Sequence, residues 1–113
     1  MNIKKLIDTT EHKNGSTCVV REYDTESTEI NTALVIVKGR YPETGSVLNT
    51  EVSEMVYVVS GKGSVSVEGM STHIEKGDCI LIHPHEKFYW EGELELIVTC
   101  IPSWNPEQYK HYE

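Results

Sequence analysis

The sequence predicts an all-β domain, a closed antiparallel sandwich or barrel, on three observations. Short runs rich in Val, Ile, Thr and aromatic residues recur along the chain, each bounded by turn formers. Glycine punctuates them at Asn14-Gly15, Gly61-Lys62-Gly63, Glu68-Gly69, Lys76-Gly77-Asp78 and Glu91-Gly92. Glycine supplies the positive φ of tight turns, so these positions are expected to reverse the chain. Helical periodicity is confined to the two ends. The chain has 113 residues, the length of one ordinary domain.

In order, Ile3, Leu6 and Ile7 offer one apolar face for a short turn or helix within an N-terminal extension, residues 1–16. Strands are expected at 17–23, 31–38, 54–60, 64–68, 72–75, 79–83, 87–90 and 94–101. The tail, 102–113, contains Asn105-Pro106-Glu107-Gln108, which reads as a helix start. It offers an N-cap, a proline at the first helical position and an acid near the positive end of the dipole. Two strands are apolar on both faces. In 54–59, Val56 and Val58 share one face while Met55, Tyr57 and Val59 share the other, and 79–82 is wholly apolar. A sheet with water on one side alternates apolar with polar, so the outer face needs a cover. A homodimer packed sheet on sheet supplies it; the two terminal segments folding back are the alternative.

Composition excludes some functions. Formal net charge is -8, from 18 acidic and 10 basic residues, and the basic residues form no patch, so nucleic acid and anionic membranes are repelled. No stretch approaches the ~20 apolar residues of a membrane helix. The start reaches Asp8 and Glu11 where a secretory signal needs an apolar core, which points to a cytoplasmic protein. Cys18, Cys79 and Cys100 are odd in number and widely spaced, unlike a disulfide framework or a zinc knuckle. They read as small buried hydrophobes in strands.

Two segments resemble the paired motifs of the cupin superfamily. Glu54-Met-Val-Tyr-Val-Val-Ser-Gly61 matches the acid and glycine that close the first motif. The run Gly77-Asp78-Cys79-Ile80-Leu81-Ile82-His83-Pro84-His85-Glu86-Lys87-Phe88-Tyr89-Trp90 matches the second, which begins Gly-Asp, passes a proline and ends at a histidine beside aromatics. With flanking strands the likeness covers roughly residues 30–101. It implies a small single-domain jelly-roll barrel, 1–113, with short terminal helical segments and a ligand pocket inside. The family holds a metal with three histidines and a glutamate. Here the histidine positions carry Val47 or Leu48, Asn49 or Thr50, and Phe88, and of that set only Glu54 remains. One carboxylate is not a transition-metal site, so neither metal nor cofactor is expected. Asn49 and Glu51, or His83 and His85 at the proline bend, are the residues from which an atypical site would be rebuilt. As a pair at the rim, His83 and His85 read as exposed, and His12, His73 and His111 as surface residues.

By the same likeness, the pocket is lined by Asn49, Glu54, Val56, Ile80, Ile82, Phe88 and Trp90, with Leu94, Leu96 and Val98 behind. Phe88 and Trp90 would stack on a ligand and Asn49 would hydrogen-bond it. Glu54 inside an apolar barrel would have a raised pKa, suiting it to catalysis as a general acid or base. The structural alternative pairs it with Arg40 or Lys38, or turns it to solvent where it holds a loop in place. Tyr41, His85 or Arg40 would supply a second proton-transfer group. Trp104 and Tyr109 would cap the pocket, dock on a partner or join the core. The first functional reading is a metal-independent small-molecule-binding protein. The others are a cofactorless isomerase, epimerase or lyase using Glu54, and a metal-dependent enzyme with a remodelled site.

Overall fold

The computed structural model describes residues 1–113 as nine antiparallel strands in one strongly curled sheet. They are β1 (Thr10–Asn14), β2 (Cys18–Tyr23), β3 (Asn31–Tyr41), β4 (Ser46–Asn49), β5 (Ser53–Val67), β6 (Met70–Glu75), β7 (Cys79–Ile82), β8 (Phe88–Ile101) and β9 (Tyr109–Tyr112). Strand β8 is the spine, with β3 on one side and β5 on the other. Strands β2 and β1 continue outward from β3. The free side of β5 is shared by β7 along its first half and β6 along its second. Strand β4 joins β8 only through Val47 and Phe88, and carries β9 on its other side. The jelly-roll class is as expected. The hydrogen-bonded ladder is a half-barrel rather than closed, because β1, β6, β7 and β9 keep free edges.

Two expected reversals are not turns. Gly61 and Gly63 lie inside β5, and Gly92 lies inside β8, so four expected strands are two long ones. Gly39, Gly92 and Gly63 face one another in a row across β3, β8 and β5. A Cβ on Gly92 would sit 2.6 Å from the Gly63 Cα, and one on Gly63 would sit 2.1 Å from the Glu91 carbonyl oxygen. Gly39 and Gly92 have φ of 115° and 132°. The glycines therefore serve close backbone approach and a corner in three paired strands, the other use of strand glycine. A bulge at Val58–Ser60 then shifts the inward set of β5 from Glu54, Val56 and Val58 to Gly63, Val65 and Val67. The remaining signals hold: Asn14-Gly15, Glu68-Gly69 and Gly77 join β1–β2, β5–β6 and β6–β7.

Alternation along the strands defines the core. Val37, Val56, Val58, Leu96, Leu94, Phe88, Trp90 and Ile82 are all buried on the inner face. Both ends make the short helical turns expected of them. Leu6–Asp8 is a single 3-10 turn, and Ile3, Leu6 and Ile7 are exposed because no element lies opposite them. The tail makes one 3-10 turn, Pro106–Gln108, capped by the Asn105 side chain as the sequence suggests, and then pairs as β9. Strands β1, β4 and β9 are short and polar or irregular in pattern, so no periodicity announces them. Neither terminus covers the outer face, where Met55, Tyr57 and Leu81 stay about half exposed. Cys79 lies on that face and is exposed, contrary to the buried reading, whereas Cys18 and Cys100 are buried.

Candidate functional site

Glu54 opens β5 on the same face as Val56 and Val58, and the pleat therefore carries its carboxyl inward, to 7% exposure. No cation pairs with it. The Asn49 Nδ2 at the end of β4 donates to Glu54 Oε2 at 2.5 Å. Asn49 Oδ1 in turn accepts from Gln108 Nε2 at 2.7 Å. Gln108 Oε1 accepts the backbone N–H groups of Glu51 and Val52, both at 3.2 Å. Burial pushes the Glu54 pKa up from the ordinary glutamate range, and the Asn49 donor only partly offsets that.

Tyr41 lies beyond the glycine corner, which brings its hydroxyl to 2.8 Å from that of Tyr109. Burial raises both phenols, and the Glu54 carboxylate adds to the effect on each. Cys100 is the direct cross-strand neighbour of Glu54, and burial, then that carboxylate, raises its thiol. Burial pushes Cys18 up to about 12. The inner face thus gathers a carboxyl, two phenols, two amides and two thiols, all biased toward their uncharged forms. Such a set donates and accepts hydrogen bonds and offers protons, but presents no positive charge.

Of the residues singled out in the sequence, Asn49 and Glu54 are directly joined. Val56, Phe88 and Trp90 are buried in the adjoining core, the two rings edge-to-face at 6.2 Å. At 2% and 4% exposure neither ring presents an open face for stacking. Ile80 packs on the core from the edge strand and opens onto a separate groove of about 750 Å³ between β5, β6 and β7. Glu54 is not among the residues that line that groove. Its rim acids Glu68, Asp78 and Glu86 each accept a backbone N–H from a nearby turn.

His83 and His85 are exposed, as are His12, His73 and His111; His85 reaches the site only through its backbone N–H, which donates to the Asn49 carbonyl at 2.7 Å. The ion pair of Glu54 with Arg40 or Lys38 does not form: Arg40 stacks over the Tyr89 ring and donates to the Pro42 carbonyl, and Lys38 is exposed. Trp104 and Tyr109 pack against each other and the core. Gln108 is invisible as a site residue in the sequence, because its tetrapeptide reads fully as a helix start. Nothing in sequence spacing links it to Asn49.

The residues do not fit the metal that the resemblance implies. Both ends of the Asn49 amide are engaged, and it turns N–H rather than a lone pair toward Glu54. No three His, Cys, Asp or Glu side chains converge anywhere in the fold. No helix is long and apolar enough to cross a membrane.

Comparison with known proteins agrees with this fold. The cupin domain family model matches residues 33–102. The structure of Pac13, described as a unique nucleoside dehydratase, superposes with a TM-score of 0.91 at 18% identity, covering 100% of this chain and 92% of that one. A Streptomyces Pac13 variant with uridine gives 0.88 at 20% identity, covering 98% and 90%. Ectoine synthase from P. lautus gives 0.74 at 18% identity, covering 100% and 91%. A search of curated protein sequences matches none of them.

Proposed function

We propose that this chain, which belongs to the cupin family, binds a small uncharged, hydroxyl-bearing molecule inside its half-barrel without a histidine-held metal. The observation that carries the reading is Glu54, a carboxyl buried on the inner face with no Lys or Arg beside it. A phosphate or carboxylate brought there meets no counter-charge, whereas hydroxyls meet the Asn49 amide and the Tyr41–Tyr109 pair. The likeness to a protein that binds uridine supports a ligand of nucleoside size. Since Glu54 is nearly sealed, access requires the tail around Gln108 to move aside.

The test is a panel of nucleosides and free sugars set against their phosphorylated counterparts, read by calorimetry and amide NMR. At least one neutral member should bind and shift resonances at Asn49, Tyr41 and Tyr109, with its phosphate ester at least about tenfold weaker. Equal or tighter binding of the esters would overturn the reading.

A second reading is favoured by the raised pKa of Glu54 together with the phenol pair: a cofactorless lyase, dehydratase or isomerase. In it Glu54 moves the proton and a tyrosine hydroxyl stabilises the oxygen that gains charge. Glu54→Gln should then abolish turnover and preserve binding. In either reading two copies pack through the outer face of β5 and β7, which Met55, Tyr57 and Leu81 make apolar. Three free cysteines, one of them exposed, fit a reducing cytoplasm.

A further inference from the structure

We propose that Gln108 is a positioning residue, whose side chain sets the direction of the Asn49 amide and so decides that Glu54 receives a donor. The inference rests on Glu54 being the working carboxyl of the site. It follows from donor and acceptor identity alone. Gln108 Oε1 faces two backbone N–H groups, those of Glu51 and Val52, and only an oxygen can accept them. Its Nε2 must then face Asn49 and donates to Oδ1. With Oδ1 so engaged, Asn49 can turn only Nδ2 toward Glu54.

Three side chains are thereby locked into one polarity by two main-chain groups at the β4–β5 turn. Every buried polar side-chain atom has a partner, so reversing one amide leaves unmatched groups along the whole relay. The backbone of Gln108 is anchored separately: its N–H donates to Asn105 Oδ1, and its carbonyl accepts from the N–H and hydroxyl of Thr50. The side chain can therefore change while the tail stays docked. A donor to the charged form favours ionisation, so the relay keeps more of Glu54 as carboxylate than its burial alone would allow. The same contact ties that charge state to docking of the tail beside the site.

The experiment follows the Glu54 carboxyl carbon and the Asn49 side-chain amide by NMR through a pH titration of the full chain. Wild type is compared with Gln108→Met, which removes the amide without adding charge, and with Gln108→Glu. In the second, a carboxylate oxygen faces Asn49 and reverses it. The Glu54 midpoint should rise by roughly half a pH unit to one pH unit in Gln108→Met and further in Gln108→Glu, with the Asn49 amide signals moving in both. Unchanged midpoints in folded variants would overturn the relay. So would a rise in Gln108→Glu alone, because charge repulsion explains that without orientation. Failure of Glu54→Gln to alter binding or turnover strikes the functional reading instead and leaves the relay standing.

Discussion

The two faces of β5 are built from alternate residues of one strand and have opposite characters. Inward, Glu54, Val56 and Val58 are 7%, 0% and 0% exposed; outward, Met55 and Tyr57 are 46% and 48% exposed. The inner face holds a carboxyl whose Oε2 accepts from an oriented amide, while the outer face shows large apolar groups to water. At the Glu54–Met55 end of the strand, burial and polarity are thus inverted relative to a simple half-buried strand. The difference teaches that the polar group inside is held by specific partners, whereas the apolar group outside awaits a non-specific cover.

The sharpest way to break this contrast is to truncate one leucine on each face. Leu96→Ala removes a fully buried side chain and should cost about 2–5 kcal/mol in urea unfolding. Leu81→Ala should cost less than about 1 kcal/mol in dilute solution, and the proposed dimer predicts that the cost grows with chain concentration. Equal losses at both positions would mean that the faces are not distinct.

Glu54 supplies the next largest effect. Its folded-state pKa is raised, so its contribution favours folding below the unfolded glutamate value and is lost as pH rises through the folded value. Glu54→Gln removes that penalty. The variant should match wild type near pH 4 and be the more stable of the two at pH 8, because only wild type must then bury a charge. Denaturant melts at the two pH values check the sign, and a variant less stable at pH 8 than at pH 4 relative to wild type contradicts it.

Smaller effects probe the outer face alone. Tyr57→Lys should leave the unfolding free energy of the isolated chain within about 0.5 kcal/mol and shift sedimentation at micromolar concentration from dimer to monomer. A wild-type chain that already sediments as a monomer removes the dimer from the account. With a thiol reagent at mildly alkaline pH, Cys79 should label first by a wide margin in the dilute, monomeric chain. Burial holds Cys18 and Cys100 in the unreactive thiol form, and their labelling should follow global unfolding.

Much of this contrast is legible in the sequence. Alternation groups Glu54 with Val56 and Val58, and the motif spacing puts it inside. The doubled apolar pattern of β5 and β7 announces an uncovered outer face. Other features depend on contacts far apart in the chain. Gly61, Gly63 and Gly92 carry the composition of turns, and only their cross-strand neighbours reveal a corner. Gln108 meets Asn49 because β9 pairs with β4, a pairing between two short segments with no hydrophobic period of their own. Cys79 reads as buried from its apolar run, although an edge strand exposes alternate residues whatever their chemistry.

The central claim is that Glu54 is an unpaired carboxyl kept toward its neutral form inside the barrel. Its midpoint in the wild-type chain, followed by carbon-13 NMR across the acid-to-alkaline range and assigned by loss of the signal in Glu54→Gln, tests this most directly. The account predicts a midpoint above those of the exposed glutamates. A midpoint within their range would place the carboxyl in water and contradict the site.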